Sequence, residues 1–231
     1  MEKLIEKASK LDINISENQN ELFDKYYQNV VLRNQTCNLT SILEENEFVD
    51  KHIIDSIAGQ KFIGENAKVC DIGAGAGFPS IPLKIVRQDL DFTLIDSLNK
   101  RVVFLNDTVN LLGLSSIKAY HLRAEEAARK DFRESFDVVV ARAVASLNTL
   151  IEYAVPLLKV GGIFVAYKGN ADEEIANAKN ALSKLHAKII EIDKFTLPET
   201  DYNRTLVVIK KEAKTDKLYP RDKNKPKLSP L

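Results

Sequence analysis

The chain has 231 residues, 45% of them hydrophobic and 29% charged, with equal numbers of acids and bases for a net charge of zero. That balance belongs to a globular chain and excludes disordered and fibrous compositions, while the length suits one sizeable α/β domain with an appended element. Met1–Lys7 mixes both charges without the apolar core of a signal peptide, and no apolar run approaches bilayer thickness; a cytoplasmic protein with no membrane partner is expected. Cys37 and Cys70 make neither a metal spacing nor a disulfide framework, so two incidental thiols and no bound metal are expected.

In chain order, Leu22, Phe23, Tyr26, Tyr27, Val30 and Val31 recur at helical spacing, as do Phe48, Val49, Ile53 and Ile57, and the polar stretch 34–38 separates the two patterns. Residues 1–62 are therefore expected as a helical extension. From residue 67 short β-rich runs take over at 67–72, 92–95, 117–121, 136–141, 162–167, 187–192 and 205–210. The first five are spaced for crossover helices, which calls for a parallel sheet covered on both faces, and the last two for a hairpin or loop. This α/β unit spans 63–211. The remaining residues, 212–231, form a basic tail: from Lys210 to Leu231 eight bases face three acids, a net +5 that leaves −5 on the rest. Such a tail is either a solvated element or an arm that follows phosphates. No heptad pattern stands out, so a monomer is expected.

The most informative segment is Asp71-Ile72-Gly73-Ala74-Gly75-Ala76-Gly77-Phe78-Pro79, which follows the first strand and leads into an apolar, helix-like stretch. Gly73, Gly75 and Gly77 allow a tight turn and close approach of a ligand to the main chain. Asp96, at the end of the next strand, can accept hydrogen bonds from both hydroxyls of a ribose. A dinucleotide site prefers G-x-G-x-x-G with a pyrophosphate on the helix N-terminus. Here the spacing is G-x-G-x-G and Asp71 stands beside it, a charge that repels a pyrophosphate and suits an ammonium and a sulfonium. S-adenosylmethionine is expected over NAD. Two further strand ends carry polar groups: Arg123-Ala124-Glu125, placed to border an adenine, and Arg142, at the rim where ligands of open α/β sheets gather.

These residues, with Asn38-Leu39-Thr40, His52-Ile53-Ile54-Asp55-Ser56, Asp96-Ser97-Leu98-Asn99-Lys100-Arg101, Arg142-Ala143-Val144-Ala145, Tyr167-Lys168-Gly169, Tyr219-Pro220-Arg221 and the terminal Pro230-Leu231, resemble the bacterial 16S ribosomal RNA guanine-N7 methyltransferase family, also called glucose-inhibited division protein B. The resemblance covers nearly the whole chain. It implies a class I S-adenosylmethionine-dependent methyltransferase, a Rossmann-like, mostly parallel seven-stranded sheet with an N-terminal helical extension, acting on 16S ribosomal RNA or the small ribosomal subunit and releasing S-adenosylhomocysteine. It also implies that Gly73, Phe78, Asp96, Ala124, Glu125 and Arg142 contact the cofactor. Ser80, Ala141 and Asn224 depart from the family pattern, which has glycine, serine and glycine there; Asn tolerates left-handed backbone, so the last change is mild.

Guanine N7 has an exposed lone pair and carries no proton to remove, so the reaction needs no general base, in keeping with a sequence that shows no catalytic dyad. Catalysis is expected to rest on positioning, with His52 and Arg142 as pocket residues and His121 and His186 as structural ones. Lys100, Arg101, Lys168, Arg204 and Arg221 are the expected RNA contacts. A methyltransferase for another RNA or a small molecule, a cofactor-binding ribosome-assembly factor and, last, an NAD oxidoreductase are the competing readings.

Overall fold

The computed structural model describes residues 1–222 and 224–231; Lys223, counted above among the tail cations, lies outside the described residues. Helices α1 (Glu2–Ser9), α2 (Glu17–Cys37) and α3 (Glu45–Phe48) lead into a π-helical turn, Val49–Ile54, then α4 (Asp55–Ile57) and a 3-10 turn, Ala58–Phe62. The α/β part follows as β1 (Lys68–Ile72), α5 (Ser80–Val86), β2 (Asp91–Asp96), α6 (Asn99–Leu111), β3 (Ile117–His121), α7 (Ala124–Ala127), β4 (Phe136–Arg142), α8 (Leu147–Ala154), β5 (Leu158–Lys168), α9 (Asp172–Asn177), α10 (Lys179–Lys184), β6 (Ala187–Thr196) and β7 (Asn203–Lys211), and a last turn, α11 (Lys225–Leu228), lies in the tail.

The strands form one seven-stranded sheet in the order β3-β2-β1-β4-β5-β7-β6. Pairing is parallel from β3 through β5, whereas β7 runs antiparallel to both β5 and β6. The last two runs are the expected hairpin, although β6 continues to Thr196, beyond the apolar run that marks its start. The polar stretch 34–38 is a helix end: α2 continues through Cys37, and Asn38 closes it in the left-handed conformation at φ 48°. Asn34 Oδ1 accepts the amides of Leu39 and Thr40 at 2.6 and 2.9 Å, so the polar run satisfies the exit backbone. At the other end Ser16 and Gln19 exchange side-chain and backbone hydrogen bonds in a capping box.

Alternation along the strands builds two cores. Val69, Val138, Val140 and Val165 face one core, shared with Phe23, Tyr26, Val30, Phe48, Ile53 and Ile57 of the N-terminal helices; Cys70, Ile72, Val139 and Ala141 face the other, shared with α8 and Tyr219 of the tail. The N-terminal segment thus supplies part of the main core on one face of the sheet. It also clamps the glycine loop, because the buried Tyr26 hydroxyl donates to the Ala76 carbonyl at 2.6 Å. Tyr26→Phe removes that donor and strands the carbonyl, and is expected to lower stability by roughly 1–3 kcal/mol in urea unfolding. Weaker cofactor binding by the folded variant is expected as the loop loosens.

Candidate active site

At the C-terminal rim of the parallel strands, each glycine of the loop after β1 has positive φ. At Gly73 a Cβ would lie 2.7 Å from Val144 Cγ2, and at Gly77 2.5 Å from Ile81 Cδ1 and 3.0 Å from Tyr26 Oη. Gly73 therefore admits the segment after β4, and Gly77 admits α5 and the N-terminal helices. Gly75 donates its amide to Asp96 Oδ2 at 2.9 Å, and Leu98 donates to Asp96 Oδ1 at 2.9 Å. An ionised carboxylate offers about four acceptor positions, so two backbone amides fix its orientation and leave further lone pairs for hydroxyl donors.

Asp96 lies on the wall of a cleft of about 370 Å³. Ile72, Gly73, Ala124, Glu125, Val144, Ala145 and Tyr153 also line it. A second cleft of about 590 Å³ adjoins it and shares Val144 and Ala145. The second cleft is lined by Lys51, His52, Asp55, Arg142, Tyr167, Lys168, Glu174 and Arg204 among others. The first bears two acids, Asp96 and Glu125, beside Arg101, Arg123 and Lys227, whereas the second is the more cationic, with Lys51, Arg142, Lys168 and Arg204 against Asp55 and Glu174; Val144 and Ala145 lie between them.

The cationic cleft is organised by the π-helical turn. In an α-helix the Asp55 amide would reach the Lys51 carbonyl; here it reaches Asp50, one residue further back, and His52. The released Lys51 carbonyl accepts from Arg142 Nη1 at 2.8 Å. Arg142 Nη1 also donates to Asp55 Oδ2 at 2.9 Å, and Arg204 Nε donates to Asp55 Oδ1 at 3.0 Å. The Arg142 guanidinium lies over the Phe78 ring, 4.8 Å from its centroid. His52 stacks on the same ring at 4.2 Å. His52 Nδ1 lies 3.0 Å from Arg142 Nη2 and 3.1 Å from the Lys51 carbonyl. Because arginine only donates and that carbonyl already accepts from Arg142 Nη1, we assign Nδ1 as the acceptor from Nη2 and Nε2–H as the donor to Thr40 Oγ1 at 2.8 Å. Burial, and then the Arg142 charge, push His52 down to about 3, so the imidazole is neutral with both nitrogens engaged.

The structure gathers Gly73, Asp96, Ala124 and Glu125 around the acid-bearing cleft and His52 and Arg142 around the cationic one. Phe78 lies buried against His52 and Arg142, which touch each other over its ring, and lines neither cleft. Asp71 differs from the expectation that it would present its charge to the ligand. Strand alternation turns it beneath the loop, where it is 0% exposed, takes the Ser80 hydroxyl at 2.6 Å and leaves Oδ1 without a partner. Burial raises it to about 7, only partly offset by the Ser80 hydrogen bond and Arg142.

The expected RNA cations also divide. Lys168, 8% exposed at its side chain, is held by Glu174 and the Ala145 carbonyl, both at 2.7 Å, and Arg204 by Asp55. Arg101 approaches Asp96 at 3.7 Å, while Lys100 is exposed. Arg221 is no free arm residue: the fully buried Glu152 takes both its Nε and Nη2, because a carboxylate without exposure requires a counter-charge. Asn224 has φ 59°, the left-handed backbone that its departure from glycine allows. Sequence reasoning missed Asp55 as the hub and Lys51 as a lining cation; the short spacing from His52 to Asp55 was the available signal.

A doubly wound parallel sheet ending in an antiparallel hairpin, a glycine loop after β1 and an acid at the end of β2 define a class I S-adenosylmethionine-dependent methyltransferase. Solved structures agree on the fold: ribosomal protein L11 methylase from Lactobacillus delbrueckii subsp. bulgaricus superposes with TM-score 0.53 at 16% identity over 69% of this chain and 78% of that one. M. jannaschii TYW2 in complex with AdoMet gives 0.50 at 18% identity over 67% and 74%. The chain belongs to the GidB family, rRNA small subunit methyltransferase G, whose profile matches residues 19–206. Among its relatives are the ribosomal RNA small subunit methyltransferases G of Lactobacillus johnsonii, 45% identical over 96% of both chains, and of Acetivibrio thermocellus, 46% identical over 99% of this chain and 95% of that one.

Two substitutions test the electrostatics. Asp71 folds with its carboxyl raised from 3.8 to about 7, so its neutral form is favoured in the native state; its contribution is full below pH 4 and is lost as pH rises through 7. Asp71→Asn is expected to stabilise the protein at pH 8, on the order of 2–4 kcal/mol, and to have little effect at pH 4, as read from urea midpoints at each pH. Asp55→Ala leaves two arginines without their shared anion and is expected to cost about 3–5 kcal/mol in the same assay.

Proposed function

We propose that this methyltransferase acts on N7 of a guanine in 16S ribosomal RNA, with the cofactor's nucleoside in the acid-bearing cleft and the target base in the cationic one. The observation that carries the reading is the adjacency of the two clefts across Val144 and Ala145. The first fits the cofactor: Asp96 keeps acceptor positions free at its wall, Glu125 stands at the neighbouring strand end, and Gly73 lacks the Cβ that would displace Val144. Kinship with ribosomal RNA small subunit methyltransferases G supports a 16S substrate.

Bound S-adenosylmethionine supplies an electrophilic methyl on a sulfonium. The protein's own work is to receive and orient the acceptor. Arg142, Arg204, Lys51 and Lys168 line a basin that draws in a phosphate-bearing strand. Tyr167 also lines the basin, held by its hydroxyl donating to the Ser56 carbonyl at 2.9 Å. His52 has no lone pair to spare, so it holds Arg142 and Thr40 in place rather than moving a proton. N7 has no proton to lose, and an aligned lone pair suffices. Asp55 and Glu174 lie at the same wall as counter-charges while positive charge moves onto the base.

The test is transfer of labelled methyl to small ribosomal subunits lacking N7-methylguanine, alongside their deproteinised RNA, with the modified nucleotide mapped. One N7-methylguanine in 16S RNA is the expected result, and Arg142→Ala is expected to lower kcat/KM by about 100-fold. No label on either substrate, from protein that still binds S-adenosylmethionine, would redirect the reading to another acceptor or to an assembly factor.

A further inference from the structure

The tail is the part of the molecule that the reaction chemistry leaves unexplained. Its charge suggests an arm for phosphates, yet it is strapped to the domain on two sides. From the segment between β3 and β4, Arg129 Nε donates to the Pro220 carbonyl at 2.9 Å and Arg133 to the carbonyls of Tyr219 and Thr215, both at 2.8 Å, while Arg129 also pairs with Asp222. From α8, Thr149 Oγ1 donates to the Pro226 carbonyl at 3.0 Å, and Glu152 holds Arg221. These anchors carry the chain across the mouth of the acid-bearing cleft, where Asn224 and Lys227 join Asp96, Ala124 and Glu125 as lining residues. Arg123, the residue before α7, donates from Nη1 to Asn224 Oδ1 at 2.9 Å, so the tail is pinned at the end of β3.

We propose that the tail forms the outer wall of the cofactor cleft, with Asn224 and Lys227 contacting the nucleoside end of S-adenosylmethionine. This rests on the assignment of that cleft to the cofactor. A ribose held by Asp96 at the end of β2 places its base over the neighbouring end of β3, beside Ala124 and Glu125, where Arg123 holds the tail. The chemistry is complementary: the Lys227 ammonium only donates and adenine ring nitrogens only accept, while Glu125 takes donors. Among the described residues Lys227 has no ion pair. The tail's bases thus divide between anchoring, as with Arg221, and cofactor capture.

The wall touches what substrate and product share, which separates it from an RNA-binding arm. In calorimetric titrations of the full chain without RNA, Asn224→Ala/Lys227→Ala is expected to raise Kd for S-adenosylmethionine and S-adenosylhomocysteine together by about tenfold. S-adenosylhomocysteine is also expected to slow tryptic cleavage after Lys227 in the unmodified protein. Asp96→Asn, checked for folding by its thermal transition, is the control on the cleft itself. If it weakens cofactor binding while the tail variant stays within about twofold of the parent, the tail is not part of the site. If Asp96→Asn changes nothing either, the cleft assignment has failed. Weaker RNA binding with unchanged cofactor affinity would return the tail to the role of a phosphate-following arm.

Discussion

The architecture of the site depends on one carboxylate. Asp55, 6% exposed at its side chain, receives Arg142 from the end of β4 and Arg204 from the start of β7, and itself comes from the N-terminal segment. Two guanidinium groups at a sheet rim would repel each other without a shared anion between them, and burying such an anion is favourable only when its hydrogen bonds are met. Both oxygens are met here. The N-terminal helices are therefore part of the cationic cleft's electrostatics, and their removal would leave the rim cations unbalanced.

A second consequence is rigidity of the glycine loop. Tyr26 holds the Ala76 carbonyl from one side and Asp96 holds the Gly75 amide from the other. Phe78, at the end of the loop, packs in a cluster with His52, Phe48 and Arg142. A loop fixed at both ends presents its backbone to a ligand without first losing conformational freedom, which is where binding energy would otherwise be spent. The same packing explains why His52 is neutral: an imidazolium stacked against a phenyl ring under an arginine would face a like charge with little water to screen it.

The proposed acceptor chemistry rests on the charges of the second cleft. Methyl transfer to a ring nitrogen without a proton asks for alignment and for charge balance, and the structure offers a cationic basin with Asp55 and Glu174 in its wall. The strongest cations are nevertheless held by internal partners, so their fields are oriented before any substrate arrives. On the proposed assignment of this cleft to the acceptor, that preorganisation lowers the cost of recognising a phosphate-bearing strand.

Much of this could be read from the order of residues. Strand alternation, the apolar runs at 67–72 and 136–141 and the spacing of the glycines follow local rules of periodicity and turn chemistry, so the sheet, the loop and the position of Asp96 were legible. Asp71 shows where local rules stop: its place in the motif suggests a charge facing a ligand, but the face of β1 on which it falls is buried by α5 and the N-terminal helices, and burial changes its protonation. Arg221 was legible as a cation, whereas its partner, Glu152, lies 69 residues away and becomes its neighbour only when the tail folds back on α8. The π-helical turn has no sequence period of its own; it coincides with the long-range hydrogen bond from Arg142 to the Lys51 carbonyl. By itself the sequence determined the elements, their sheet and the class of cofactor, because these depend on near neighbours in the chain. Only the tertiary structure decided which charges are paired, which are buried and which face the clefts, because those depend on groups that meet from opposite ends of the molecule.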